Sequence, residues 1–161
     1  MLVVSNTSPL TNLAAIGHFE LLHLLFGEIH IAEGVWRELH AGGKSYPGSR
    51  EVDISPWAHR HTVTDQHLVR ALRRDLDAGE AETLALGLGL GADLVLIDER
   101  EGRRAAARLG LEPLGVLGIL LRCKAKGHLV EVRSPLDALR QDAGFYISDR
   151  IYGEVLAVAG E

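Results

Sequence analysis

The chain has 161 residues, 47% hydrophobic, 24% charged and 5% aromatic, a composition that fits one domain over 1–161 and excludes a disordered or fibrous polymer. A chain this long buries roughly 70% of its unfolded surface and needs no disulfide or structural metal to hold a core. The lone Cys123 has no partner for a bridge, a CxxC motif or a zinc finger, which predicts a cytoplasmic protein. No apolar run approaches the ~20 residues of a membrane span.

Seventeen Lys and Arg against 22 Asp and Glu give a net charge of −5, which argues against a general nucleic-acid coat. The positive charge is uneven, with 4 basic residues in 1–65 and 13 in 66–161. Clusters at Arg70, Arg73, Arg74 and at Arg100, Arg103, Arg104, Arg108 read either as a local basic face or as solvated helix surfaces making i,i+4 pairs.

In chain order, Leu2 to Ser5 is a short strand, and Asn6-Thr7-Ser8-Pro9 opens a helix. Apolar positions at Leu10, Leu13, Ala14 and then Phe19, Leu22, Leu25, Phe26 predict two helices broken at Gly17-His18. Ile29 to Ala32 is the second strand. Val35, Trp36 and Leu39 mark a short helix ending at Ala41-Gly42-Gly43, followed by a surface loop from Lys44 to Arg50 that we expect to be the most mobile part. From Val52 through Ile54 and Trp57 the pattern is extended, and His59, His61 and Val63 continue it as an edge segment. A helix starts near Asp65, another spans Gly79 to Leu90, and Leu94 to Asp98 is a buried strand. A basic helix from Glu99 to Leu109, a short strand from Pro113 to Val116 and a helical part over about 119–161 complete the chain. Solid apolar strands alternating with helices predict an α/β fold with a mostly parallel sheet covered on both faces.

Ligands of open parallel sheets gather at the carboxyl ends of the strands. Those ends carry Asn6, Thr7 and Ser8 on the first strand and Asp98 and Glu99 on the fourth. Glu80 and Glu82 open the helix before the fourth strand, and Glu38 lies one turn into the helix after the second. Carboxylates converging on one crevice need a cation or a raised pKa, and Mg2+ and Mn2+ are the hard ions that suit oxygen ligands. Phosphodiester hydrolysis is the chemistry such a site would support.

The segments VVSNTSPLTNLAAIG, IAEGVWREL, DAGEAETLALGLGLGADLVLIDEREGRRAAARLGL and AGFYISDRIYGEVL resemble the PIN domains of bacteria and archaea, among them toxin components. The resemblance implies a three-layer α/β/α fold with four to five strands and a metal-dependent ribonuclease. It assigns the four ligand positions to Asn6, Glu38, Glu80 and Asp98, with Glu38, Glu80 and Asp98 catalytic. The 18 residues from Glu80 to Asp98 match the family's helix, turn and strand and favour Glu80 over Glu82. Positions two apart on a helix diverge by roughly 200°, so one of Glu80 and Glu82 is expected to be solvated or paired with a base. The family normally has Asp where this chain has Asn6. An amide oxygen ligates a hard cation without adding negative charge, so the alternative function is a catalytically impaired module that binds nucleic acid or protein. Thr7 and Ser8 either cap the first helix or hydrogen-bond a metal-bound water. Glu82 and Glu99 are supporting positions, and Arg100 and Arg103 are expected to contact RNA phosphates. The resemblance further implies a homodimer and a small antitoxin partner, for which Phe145, Tyr146 and Tyr152 offer a surface if they are not simply packing the last helix.

Other features have plainer readings. Asp53 and Asp77 read as caps or turns, and Trp36 and Trp57 as core anchors. His59 and His61 share a strand face but have no third ligand nearby in sequence, which favours a solvated edge. Gly87, Gly89 and Gly91 precede a strand instead of following one, so they do not form a dinucleotide fingerprint.

Overall fold

The computed structural model describes residues 1–161. Five parallel strands, β1 (Val3–Ser5), β2 (Ile29–Ala32), β3 (Ala58–His61), β4 (Leu94–Leu96) and β5 (Pro113–Leu114), form one sheet in the order β3-β2-β1-β4-β5. Val4 pairs with His30 on one side of β1 and with Val95 on the other. The sheet is therefore all-parallel, and β1 lies at its centre.

Alternation along the strands sorts the core into two layers. Val3, Ile29, Ile31, Leu94 and Leu96 face the larger one. There they meet leucines of α1 (Thr7–Ala15), α2 (Leu21–Phe26), α8 (Val116–Ala125), α9 (Arg133–Gln141) and α10 (Asp149–Val158). Val4, Ala32, Val95 and Ile97 belong to the smaller, with Val69 of α5 (Gln66–Leu72), Leu84 of α6 (Ala78–Leu90) and Ala106 of α7 (Arg100–Arg108). The three-layer α/β/α arrangement follows from these two apolar faces.

The sequence reading fails at one element. Val52 and Ile54 alternate as in a strand, yet they lie in a short helix, α4 (Ser49–Ile54), entered through Gly48 at φ 99°. Residues two apart on a helix point to nearly opposite sides, so Val52 is buried in the core while Ile54 is 70% exposed. Asp53, in the same helix, neither caps nor turns; its carboxylate meets Nε2 of His40 at 2.8 Å. Trp57 is buried in the larger core as expected, and the half-buried Trp36 packs against that core with Arg60 4.3 Å from its ring centre. Phe145 packs on the core, the Tyr152 hydroxyl donates to Asp137 at 2.6 Å, and Tyr146 stands 86% exposed. No helix is long and apolar enough to cross a membrane.

Candidate active site

From β1 the chain runs outward to β2 and β3 on one side, and then β4 and β5 build on the other. The crevice between the carboxyl ends of β1 and β4 is thus the switch point where parallel sheets place ligands. A cleft of about 250 Å³ opens beside it, lined by Asn6, Thr7, Ser8 and Asn12 from the start of α1, Glu38 from α3 (Glu33–Ala41), and Asp77 and Glu99. Thr11 and Tyr46 complete the lining.

Asn6 occupies the N-cap position of α1, but its side chain makes no cap hydrogen bond. Thr7 and Ser8 do not cap either. The Thr7 hydroxyl donates to Oε2 of Glu38. The Ser8 hydroxyl donates to Oδ2 of Asp98 at 3.0 Å and accepts from Nδ2 of Asn12 at 3.1 Å. The capping alternative for these hydroxyls is therefore set aside: one turn of helix presents both to carboxylates on other elements.

Asp98 leaves β4 beside the first turn of α8, whose Val116 N–H donates to Oδ1 at 2.7 Å. Burial pushes the Asp98 carboxyl above the ordinary aspartate range and Glu99 adds to this, while Val116, Ser8 and Arg103 pull the other way without prevailing. Glu80 closes a capping box at the start of α6: its N–H donates to Oδ1 of Asp77 at 2.8 Å, and its Oε1 accepts from the Asp77 N–H at 3.4 Å. Its carboxyl is buried and raised to about 7, first by burial and then by the hydrogen bond and charge of Asp77, with Glu99 contributing. Asp77 is the cap expected of it and also a wall of the cleft.

Two glycines let these acids approach. A Cβ on Gly79 would stand 2.8 Å from Cδ of Glu38, and one on Gly102 would stand 2.9 Å from Oε2 of Glu80, both closer than side-chain carbons are found. Glu82 points elsewhere. It accepts from the Gly34 N–H at 3.2 Å and pairs with Arg37 at 3.6 Å, tying α6 to α3, as expected for one of the two glutamates. Arg103 reaches the Asp98 side, and Arg100 is exposed on the first turn of α7. Among the seven clustered arginines only Arg104 forms an ion pair, with Glu101 at 3.5 Å, so the clusters are not spent on i,i+4 pairing.

Thr11 and Asn12 escaped the sequence reading, although they lie four residues after Thr7 and Ser8 and so share their helix face. Asp77 had a signal in its D-x-x-E spacing. Tyr46 had none, because it enters from the loop before α4.

The chain matches a family described as a PIN domain over residues 2–161. It belongs to the PIN-domain family. Membership accounts for the nuclease-type fold, since PIN domains are generally nucleases that use divalent metal ions. No curated protein matches the chain.

No three His, Cys, Asp or Glu side chains converge here as a preformed metal cage. The donor chemistry of the PIN cleft nonetheless fits a hard cation. Two buried side-chain oxygens in the whole chain lack a hydrogen-bond partner, Oδ1 of Asn6 and Oγ1 of Thr11, and both residues line this cleft. Buried oxygens without partners are rare and costly, and an ion or its water would satisfy them.

Proposed function

We propose that this PIN domain is a metal-dependent endoribonuclease in which Glu38, Glu80 and Asp98 are the catalytic carboxylates. Asn6 would join them in holding Mg2+ or Mn2+. The observation that carries this reading is the pair of orphaned oxygens, on Asn6 and Thr11, in the cleft at the β1–β4 switch point that Glu38 also lines, with Asp98 and Glu80 tied to its walls through Ser8 and Asp77. A bound cation would supply an activated water and neutralise charge developing on the phosphate.

The chain's own groups have distinct parts. Ser8 and the Val116 N–H fix the Asp98 carboxylate from two sides, and Thr7 fixes Glu38. Glu80, raised to about 7, exchanges its proton near neutral pH at a carboxyl facing Glu99 and Asp77. Glu82 supports the site by holding α3 on α6, and Glu99 adds negative charge at the rim. Arg100 and Arg103, free of ion pairs at the start of α7, would bind RNA phosphates and hold the strand over the cleft.

The proposal extends to a toxin that works as a homodimer and is silenced by a small antitoxin. The exposed Tyr146 beside α10 supports a partner surface there. Asn6 favours a second reading, an impaired module that binds RNA or a protein without cutting it, because the amide adds no charge to attract a cation.

The deciding experiment is cleavage of mixed RNAs with manganese, beside Glu80→Gln. We expect cutting that requires the metal and is lost in the variant. Equal cutting by both would identify a contaminating nuclease, and RNA binding without cutting by the unaltered chain would favour the impaired module.

A further inference from the structure

His59 and His61 lie on the edge strand β3, and the sheet register supplies the third histidine that the sequence did not. His30 on β2 stands directly opposite His59, and His61 lies two residues further along the same face. Nδ1 of His30 and Nε2 of His61 are 2.8 Å apart, sharing one hydrogen bond. The His30 ring centre is 4.9 Å from that of His61 and 5.2 Å from that of His59. Nε2 of His59 faces Glu28 at 3.4 Å. All three rings are half-buried, and His61 opens into a cleft of about 380 Å³ between the end of β3, α5 and α6.

We propose that His30, His59 and His61 form a binding site for zinc, separate from the carboxylate cleft. Imidazole is a borderline ligand that suits zinc and related ions and is a poor partner for magnesium. Two nitrogens on one zinc, each at ~2.0–2.1 Å, stand about 3.3 Å apart, so the His30–His61 pair opens by roughly half an ångström to admit the ion. The ring that donates in this pair moves its N–H to its other nitrogen, the acceptor ring already offers a lone pair, and no net proton leaves. As they stand the rings do not converge on one point. His59 joins by turning Nε2 away from Glu28, whose carboxylate is then free to orient a ligand ring. The ion would rivet β3, which is hydrogen-bonded along one side only, to β2.

The test is calorimetric titration of zinc into the untagged full chain in excess magnesium. We expect one zinc per chain, with affinity roughly tenfold or more weaker in His61→Ala and in His30→Gln and unchanged in Asp98→Asn. Because a substitution at half-buried His30 can disturb folding, the imidazole 15N resonances of the unaltered protein give a second readout. Zinc should shift Nδ1 of His30 and Nε2 of His61. Zinc affinity that survives in His61→Ala, that is lost in Asp98→Asn, or that leaves those two nitrogens unmoved would overturn the site.

Discussion

The hydroxyl of Ser8 donates to the carboxylate of Asp98 across 3.0 Å, joining residues 90 positions apart. The first residues after β1 thus hold the acid that follows β4, adding a side-chain contact to the Asn6 N–H bond to the Leu96 carbonyl at the carboxyl ends of these two strands. Removing it in Ser8→Ala leaves a buried carboxylate with the Val116 N–H as its remaining donor. Loss of a hydrogen bond to a charged group costs about 1.5–3 kcal/mol. We expect manganese affinity and RNA cleavage to fall by about tenfold or more, while α1 tolerates alanine. Unchanged cleavage in Ser8→Ala would remove this contact from the mechanism.

Glu80 ties stability to pH. Its folded value of about 7 lies above the ordinary glutamate value of 4.5, so the native state binds the proton more tightly than the unfolded chain. Stability is then greatest below pH 4.5 as far as this group is concerned, and it declines as pH rises through 7. The decline is on the order of 3 kcal/mol. Asp98, also raised, acts in the same direction. Gln can keep the capping box without the charge, so Glu80→Gln should flatten the pH profile and stabilise the protein at pH 8 in urea melts. A steeper profile in the variant would show that the charge, not its burial cost, dominates.

Gly79 separates folding from site geometry. In an α-helix, alanine is favoured over glycine by roughly 0.5–1 kcal/mol. A Cβ at position 79 would nevertheless stand 2.8 Å from Oε2 and Cδ of Glu38, so the glutamate must leave its place. Gly79→Ala should therefore melt within about 1 kcal/mol of the unaltered chain and lose manganese affinity several-fold. If the metal affinity stays the same, Glu38 is not a ligand.

Much of the fold was legible because the strands are short, solid apolar runs and the helices end at glycines. Ile29–Ala32 is found where the pattern predicts it, and Glu80 and Asp98 fall on the expected elements, at the start of α6 and just after β4. What escaped depends on relationships that no local pattern encodes. Val52 and Ile54 obey a period of two by accident within a six-residue helix too short to show its own period. The hydroxyls of Thr7 and Ser8 read as caps because capping is local, whereas their partners Glu38 and Asp98 arrive from 31 and 90 residues away. His30 joins His59 and His61 only through the register of β2 and β3.

The central claim is that Asn6 and the cleft carboxylates hold a divalent cation, and calorimetric titration of manganese into three forms of the chain tests it most directly. The unaltered chain should bind, Asp98→Asn should lose binding, and Asn6→Asp should bind more tightly because the orphaned amide oxygen becomes a charged ligand. Binding that is indifferent to Asp98→Asn, or no tightening in Asn6→Asp, would place the cation elsewhere and contradict the assignment of this cleft.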